Sequence, residues 1–463
     1  MLRIWDTKKR SIEEVRPLQP GKVGFYACGP TVYQRAHIGN LRAYVFEDVL
    51  KRALMANGYS VRHVVNITDV GHLTDDADAG EDKMERAAKE EGKDAWDISR
   101  EYTRLFLEDI AALNILLPDA LPKATDHIDE QIELVKTLED KGFTYETDDG
   151  VYFDTSKFAH YGSLGGQSLS EKQEGVRVEA NTQKRHPSDF ALWKFSGEKG
   201  KRHMEWDSPW GKGFPGWHAE CSAMSRKELG QPFDIHAGGI DHIPVHHENE
   251  IAQSEAAYGV PLANMWFHVE FLLIEGQKMS KSLRNTFTID DLREHDIYPL
   301  AFRYFLLGSH YRKKQNFTWD AVQGAQIALE KMYRVCRAFP NPRTVLVDAE
   351  SAFMDAINDD LNTPEALASL HALFDGDQND ADKAATALAM DRVLGLGLDA
   401  VVSKPLFIPP DIKALADERD KARNKKQWDR SDALRDEIER KGWILRDTAE
   451  GYLLERASID RRS

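Results

Sequence analysis

A strand–helix–strand pattern near the start of the chain most constrains its fold. Residues 22–28, KVGFYAC, are typical of a short strand, and apolar residues then recur at helical spacing over 40–57. Residues 59–68, YSVRHVVNIT, again have the character of a strand. Two strands joined by a helix become parallel neighbours, so the pattern predicts a parallel sheet. Such sheets bind ligands at the carboxyl ends of their strands, where Cys28 and Thr68 lie.

The same pattern returns after an interruption. Residues 119–200 instead contain a helix-like stretch and a hairpin-like stretch around Asp149–Gly150. Helix and strand patterns resume over 216–274, and from about residue 291 the chain is mainly helical. We therefore predict an α/β protein with a Rossmann-type parallel-sheet domain, interrupted by an insertion. A mainly helical C-terminal region follows, with a small module after the proline-marked linker at 404–411.

Composition excludes several classes of protein. The 463 residues are 41% hydrophobic and 30% charged, which is usual for a globular chain of two to four domains. No segment resembles a secretory signal or the roughly 18 apolar residues of a membrane span. The net charge of −16 argues against a general nucleic-acid coat, although a nucleic-acid partner needs only a locally basic surface. We expect a monomeric, cytoplasmic protein without membrane association.

Four side chains offer a possible metal site. The three cysteines, Cys28, Cys221 and Cys336, lie far apart, which does not suggest a disulfide framework and fits a reducing cytosol. His246 and Glu250 are four residues apart in a helical pattern and share one face. With Cys28 and Cys221 they could bind zinc. From spacing alone, however, a core role for Cys28 and a surface pair for His246 and Glu250 are the commoner explanations.

Two further segments carry glycine or lysine patterns. In GQKMSKSLRN, residues 276–285, Lys278 and Lys281 can donate to phosphate oxygens from one loop. An exposed basic loop without a ligand is the alternative. GLGLDA, residues 395–400, matches a nucleotide-binding glycine pattern, but no strand precedes it, so we expect a helix terminus there.

Taken in order, several motifs resemble those of one enzyme family. AHIGN after the first strand and KMSKS after a later one are similar to the two signature motifs of class I aminoacyl-tRNA synthetases. Together with YACGPTVY, GWHAECSAMS and HHENEIAQS, they resemble the cysteinyl-tRNA synthetases, over nearly the whole chain. The resemblance implies ATP-dependent activation of L-cysteine to cysteinyl-adenylate, and transfer of cysteine to the 3′ end of tRNA(Cys).

The resemblance also implies a role for each motif residue. One Zn²⁺ per chain would be held by Cys28, Cys221, His246 and Glu250. The amino-acid pocket would be lined by Thr68, Trp217, His236 and Asp241. Catalysis and ATP binding, with Mg²⁺ accompanying ATP, would involve His37, Asn40, Lys278 and Lys281. Zinc prefers sulfur, so it can select cysteine over serine, which a shape-based pocket separates by only about 100-fold.

Two features depart from the family pattern. Asn40 stands where many class I enzymes have histidine; an asparagine can donate a hydrogen bond but carries no charge. The acidic segment 69–91 is longer than in the commonest pattern, and its composition suggests a solvated flap.

The C-terminal end carries a possible RNA-binding surface. Residues 419–446 contain ten Lys/Arg and six Asp/Glu, a local net charge of +4, and Trp428 and Trp443 would offer stacking surfaces for unpaired bases. Composition alone also fits an ordinary solvated helix. With the family resemblance we expect anticodon binding.

The resemblance divides the chain into functional regions. The expected boundaries are 1–118 and 201–275 for the two halves of the Rossmann catalytic domain, 119–200 for the connective insertion, 276–320 for the KMSKS loop and stem-contact region, 321–403 for a helical bundle and 404–463 for the anticodon-binding module. Two rival functions remain. A related ligase passes cysteine to a sugar amine and lacks the terminal module; a non-catalytic tRNA-binding paralogue should have lost KMSKS or a zinc ligand.

Overall fold

Helices and strands alternate up to about residue 317, and the described chain beyond it is helical except for a hairpin over 443–456. The computed structural model describes residues 1–72, 82–166, 183–196, 202–279, 285–404, 407–448 and 451–456. The strands are β1 (Arg3–Asp6), β2 (Ser11–Glu14), β3 (Lys22–Ala27), β4 (Ser60–Val65), β5 (Thr144–Thr147), β6 (Gly150–Phe153), β7 (Phe190–Phe195), β8 (Gly213–Pro215), β9 (Phe233–Gly239), β10 (Ala263–Val269), β11 (Leu272–Ile274), β12 (Gln277–Lys278), β13 (Gln315–Phe317), β14 (Trp443–Thr448) and β15 (Gly451–Arg456). The helices are α1 (Ile38–Ala56), α2 (Lys83–Glu91), α3 (Ala95–Ala112), α4 (Ile128–Asp140), α5 (Trp217–Leu229), α6 (Glu248–Tyr258), α7 (Ile289–Glu294), α8 (Pro299–Leu307), α9 (Trp319–Ala338), α10 (Val347–Asn358), α11 (Thr363–Asp375), α12 (Asp380–Leu394), α13 (Pro410–Asn424) and α14 (Trp428–Arg440).

A four-stranded parallel sheet positions the rest of the molecule. Its order is β10-β9-β3-β4, and α1 connects β3 to β4 as the sequence predicts. Ala27 at the end of β3 lies opposite Val65 of β4 on one side and Ala237 of β9 on the other. Since β9 follows the insertion, the sheet is completed only by the second half of the domain. The predicted α/β class is confirmed.

The insertion forms a separate antiparallel sheet. Its order is β5-β6-β7-β8, and β5 and β6 make the hairpin expected around Asp149–Gly150. The last strand, β8, lies beyond residue 200 and leads directly into α5.

Helices α8 to α12 precede a small module at the C-terminal end. In that module α13 and α14 pack with the hairpin β14–β15 around their own cluster of apolar side chains, which includes Ile412, Ile438 and Leu445. The predicted helix terminus at 395–400 is confirmed, because α12 ends at Leu394 and Gly395 follows with a φ of +64°. Among the described helices, none combines the length and apolar character that a membrane span requires.

Part of the acidic segment is helical rather than loop-like. Residues 73–81 lie outside the described residues, but α2 covers 83–91. The helix begins there because the Asp82 carboxylate accepts hydrogen bonds from the backbone N–H groups of Met84 (2.7 Å) and Glu85 (3.0 Å). Arg202, from beyond the insertion, forms an ion pair with the same carboxylate.

Helix α1 contains a carboxyl group in an unusual environment. Glu47 is only 1% exposed, and neither of its carboxylate oxygens has a hydrogen-bond partner among the described residues. Burial raises the pKa of Glu47 from 4.5 to about 8, because the charged form has lost its water without gaining a partner.

We predict that Glu47→Gln stabilises the protein at neutral pH but not in acid. In the unfolded chain Glu47 loses its proton near pH 4.5, whereas in the folded chain it keeps the proton until about pH 8. The native state therefore binds the extra proton between these values and loses stability as pH rises, by at most about 1.4 kcal/mol per pH unit. Urea unfolding between pH 5 and 8 should show a gain for the variant that grows with pH. The exposed control Glu294→Gln should show none, and a pH-independent effect of Glu47→Gln would contradict the prediction.

Candidate active site

A cavity of about 250 Å³ lies at the carboxyl ends of the parallel strands. It is lined by the loop after β3, the start of α1, the loop after β4 and the start of α5. Eight of the predicted site residues contribute to its wall: Cys28, His37, Asn40, Thr68, Trp217, Cys221, Asp241 and His246. The fold therefore brings the AHIGN motif and both predicted cysteine ligands to one chamber.

Four potential metal ligands meet at one end of this cavity. The ligand atoms of Cys28, Cys221, His246 and Glu250 all lie within 4.8 Å of one another, and all four residues are buried. Cys28 follows β3, Cys221 lies on α5, and His246 and Glu250 are one turn apart around the start of α6. Two sulfurs, one nitrogen and one carboxylate oxygen form a closed four-donor set, which is the ligand number and chemistry that zinc prefers. The residues therefore fit a zinc ion.

A second group of side chains overlaps the first. Cys28 and Glu250 also lie within 4.8 Å of ring nitrogens of His236 and His247. His236 Nε2 is 2.9 Å from Glu250 Oε2, while His246 Nε2 is 2.9 Å from Glu250 Oε1. His236, expected in the amino-acid pocket, is fully buried and is not among the residues lining the cavity. It instead contacts the carboxylate of a potential ligand, which it orients.

The cluster holds charge despite its burial. Burial opposes ionisation of Glu250, yet His236 and His246 keep its pKa well below the usual range. Likewise, burial opposes a charged His246, but Glu250 and Cys221 raise its pKa to about 10. A hydrogen bond from Cys28 lowers the pKa of Cys221 to about 7 against the effect of burial. These side chains thus form a paired, desolvated network, as buried charges require.

Thr68 is held by residues that the sequence analysis missed. Its hydroxyl donates to Glu220 Oε2 at 2.9 Å and accepts from the Asn66 amide at 3.0 Å. The other Glu220 oxygen lies 2.5 Å from His72 Nε2, and burial raises the pKa of Glu220 well above 4.5. Asn66 and His72 lie within four residues of Thr68 in the sequence. Glu220 is remote in the sequence and reaches Thr68 from α5.

The other end of the cavity is the N-terminus of α1. His37 and Asn40 cap this helix reciprocally: Asn40 N–H donates to His37 Nδ1 at 3.2 Å, and His37 N–H donates to Asn40 Oδ1 at 3.3 Å. The side-chain oxygen of Asn40 thus accepts a hydrogen bond in the cap, which leaves the side-chain NH₂ group of Asn40 as a donor for a ligand. Gly39 between them gives the Met279 methyl group its space, since a Cβ there would displace it.

The two predicted lysines are placed differently. Lys278 lies on β12 with its Nζ 4.4 Å from the ring centroid of Phe271, which lines the cavity although Lys278 does not. Lys281 lies outside the described residues.

Trp217 and Asp241 both belong to the cavity wall. Trp217 is the first residue of α5, and its ring stacks on that of His246 with the centroids 4.4 Å apart. Asp241 lies in the turn after β9. Lys83, at the start of α2, also lines the cavity, so this part of segment 69–91 is not the solvated flap that its composition suggests.

The predicted tRNA-stacking residues differ in exposure. Trp428 is 57% exposed at the turn between α13 and α14, close to the exposed Lys425 and Lys426. Trp443 is 4% exposed and packs within the apolar cluster of the module. Its ring therefore has no free face for a base, and of this pair only Trp428 can be considered as a stacking surface.

Known proteins resemble this chain over its whole length. Residues 14–327 match the family "tRNA synthetases class I (C) catalytic domain", 352–398 match a DALR domain, and 408–451 match a cysteinyl-tRNA ligase anticodon binding domain. Cysteine–tRNA ligase 1 of Burkholderia lata is 50% identical over 98% of this chain and 96% of its own length. A cysteine–tRNA ligase of Thermus thermophilus is 44% identical over 97% and 98%, respectively.

Solved structures share the fold at much lower identity. The LeuRS–tRNA–LeuAMS complex of Agrobacterium radiobacter K84 superposes with a TM-score of 0.59 at 13% identity, covering 86% of this chain and 88% of that one. Such a likeness concerns the fold alone. The full-length similarity to curated relatives and the matched catalytic and anticodon-binding families together show that this chain belongs to the cysteinyl-tRNA synthetases of class I.

Proposed function

We propose that this protein attaches L-cysteine to tRNA(Cys) in two steps, with ATP as the source of energy. The observation that carries the proposal is the cavity that joins four buried metal-ligand side chains to the N-terminus of α1. This arrangement offers a sulfur-selective end and a phosphate-binding end within one chamber. The family relationship supports the same activity.

The sulfur-selective end would hold a zinc ion. Cys28, Cys221, His246 and Glu250 would bind it, and His236 would orient Glu250 through their 2.9 Å contact. When bound, zinc offers a borderline-soft Lewis acid that favours a thiolate over a hydroxyl group. Trp217, stacked on His246, and Thr68, fixed by Glu220, would close the space around the amino acid. Selection of cysteine would then depend on sulfur chemistry as well as on shape.

The phosphate-binding end would support formation of the adenylate. A carboxylate oxygen of cysteine forms a bond to the α-phosphorus of ATP, the bond from that phosphorus to the bridging oxygen breaks, and pyrophosphate leaves. His37, the Asn40 amide and the N-terminus of α1 would donate to phosphate oxygens. Lys278 and Lys281 would neutralise the departing pyrophosphate, with Mg²⁺ accompanying ATP. The terminal ribose hydroxyl of tRNA then attacks the cysteinyl carbonyl, and AMP leaves.

The C-terminal region would bind the tRNA. The match of 408–451 to an anticodon-binding family supports this role, as does the exposed cluster of Lys425, Lys426 and Trp428.

We propose 1–118 and 201–275 as the catalytic domain, 276–320 as the stem-contact region and 321–403 as the connecting bundle. One chain holds every residue assigned to the site, so a monomer suffices. Three free cysteines suit a reducing compartment such as the cytoplasm.

We predict that the purified protein transfers labelled cysteine to unfractionated tRNA when ATP and Mg²⁺ are present, and does not transfer serine. Acid-precipitable label on tRNA measures this directly. AMP release without charged tRNA, dependent on an added sugar amine, would instead indicate a cysteine ligase. Absence of pyrophosphate exchange would indicate a non-catalytic paralogue and overturn the proposal.

We predict that Cys221→Ser lowers bound zinc well below one ion per chain and reduces kcat/KM for cysteine activation by more than about 100-fold. The reason is that loss of a ligand should cost more than loss of a residue that only orients one, which costs about 10- to 100-fold. Elemental analysis and cysteine-dependent pyrophosphate exchange measure the two effects. Cys336→Ala removes a buried thiol distant from the cavity and should retain zinc. Full zinc content in Cys221→Ser would contradict the assignment.

We predict that Trp428→Ala raises KM for tRNA(Cys) by about 5- to 150-fold, since stacking of one base on an aromatic ring contributes about 1–3 kcal/mol. Pyrophosphate exchange, which needs no tRNA, should be unchanged. Leu18→Ala, which removes an exposed apolar side chain near Asp234 of β9, serves as the control. An unaltered KM for tRNA would remove Trp428 from the proposed interface.

A further inference from the structure

We propose that Lys83 is a substrate-binding residue that holds an anionic oxygen of the reacting pair, either the cysteine carboxylate or the α-phosphate of ATP. This inference rests on the proposed function and extends it to a residue outside the family motifs considered above. It also gives a role to the end of the acidic segment.

Lys83 lies in the wall of the cavity between two aromatic rings. Its Nζ is 5.8 Å from the ring centroid of Trp217 and 5.9 Å from that of Tyr33, and all three residues line the cavity. Cation–π attraction at such distances contributes about 0.5–1 kcal/mol, whereas a hydrogen bond to a charged group contributes about 1.5–3 kcal/mol. A charge-assisted contact with an anionic substrate would therefore outweigh these two ring contacts. Trp217 also stacks on His246, so this cation lies near the amino-acid end of the cavity.

The charges around the cavity favour this role. Among the described residues that line the cavity, the basic ones are Lys83 and Arg35, and the acidic ones are Asp241 and Glu270. Arg35 is engaged in ion pairs with Asp109 at 2.6 Å and with Asp290. Of these two cations, Lys83 is the one beside Trp217, at the amino-acid end of the cavity, where its charge offsets Asp241 and Glu270. Without it, these carboxylates would repel both cysteine and ATP.

The backbone of Lys83 is fixed from two directions. Its N–H donates to the His72 carbonyl oxygen at 2.8 Å, and the preceding Asp82 caps α2. Arg202 pairs with Asp82 and donates to the Gly71 carbonyl oxygen at 2.7 Å, which ties the same turn to the segment after the insertion. The side chain of His72 in turn contacts Glu220, which holds Thr68. Lys83 is thus presented by the same network that fixes the amino-acid pocket.

We expect Lys83→Met to reduce kcat/KM for cysteine-dependent pyrophosphate exchange by about 10- to 100-fold, since it removes one charge-assisted contact. Varying cysteine at saturating ATP, and then ATP at saturating cysteine, locates the contact. A raised KM for cysteine identifies the carboxylate; a raised KM for ATP, or a lowered kcat with both KM values retained, identifies the α-phosphate. Lys83→Arg, which keeps the charge, should recover part of the loss.

The matched control is Lys89→Met, which removes an exposed lysine from the same helix and should behave as the wild type. Lys83→Met activity within about twofold of the wild type would overturn the inference. So would an equal loss in Lys83→Met and Lys83→Arg together with a lowered Tm, which would indicate a purely structural role. Failure of the wild type itself to activate cysteine would instead reject the proposed function.

Discussion

The active site depends on the parallel pairing of β3 with β9. Ala27 lies opposite Ala237, and the Cys28 N–H donates to the Ala237 carbonyl oxygen at 3.1 Å, which extends the pairing one residue beyond β3. This register brings Cys28 beside the residues that follow β9. Because β3 and β9 come from opposite sides of the insertion, neither half of the domain can build the site alone.

Glu250 secures the second half of the site to that sheet. It is fully buried, with His246 on one carboxylate oxygen and His236 of β9 on the other. A buried carboxylate is tolerated only with such partners, so the charge proposed to serve metal binding also sets the orientation of α6 against β9. A neutral replacement would therefore weaken the packing of α6 on β9 as well as remove a proposed metal ligand.

The local sequence pattern was sufficient to predict the parallel sheet and to place His246 and Glu250 on one face of a helix. The latter pair lies 2.9 Å apart although regular α6 begins only at Glu248, after a wider turn over Ile243–His247. Which distant segments contact one another could not be predicted from the sequence pattern. The ion pair between Arg202 and Asp82, for example, joins residues 120 positions apart. An aromatic residue such as Trp443 has the same character in the sequence whether it faces solvent or fills a core.

A second buried charge explains how the helical region is held against the catalytic domain. Arg303 of α8 is fully buried and donates to Asp48 Oδ2 of α1 at 2.6 Å, to the Leu394 carbonyl oxygen at 2.7 Å and to the Leu113 carbonyl oxygen at 3.0 Å. Removing one partner of a buried pair costs about 3–5 kcal/mol because the other charge stays desolvated. Four segments of the chain thus meet at one guanidinium. Since the N-terminus of α1 caps the cavity and α8 leads into the bundle, this contact fixes the geometry between the proposed phosphate-binding end and the proposed stem-contact region and connecting bundle.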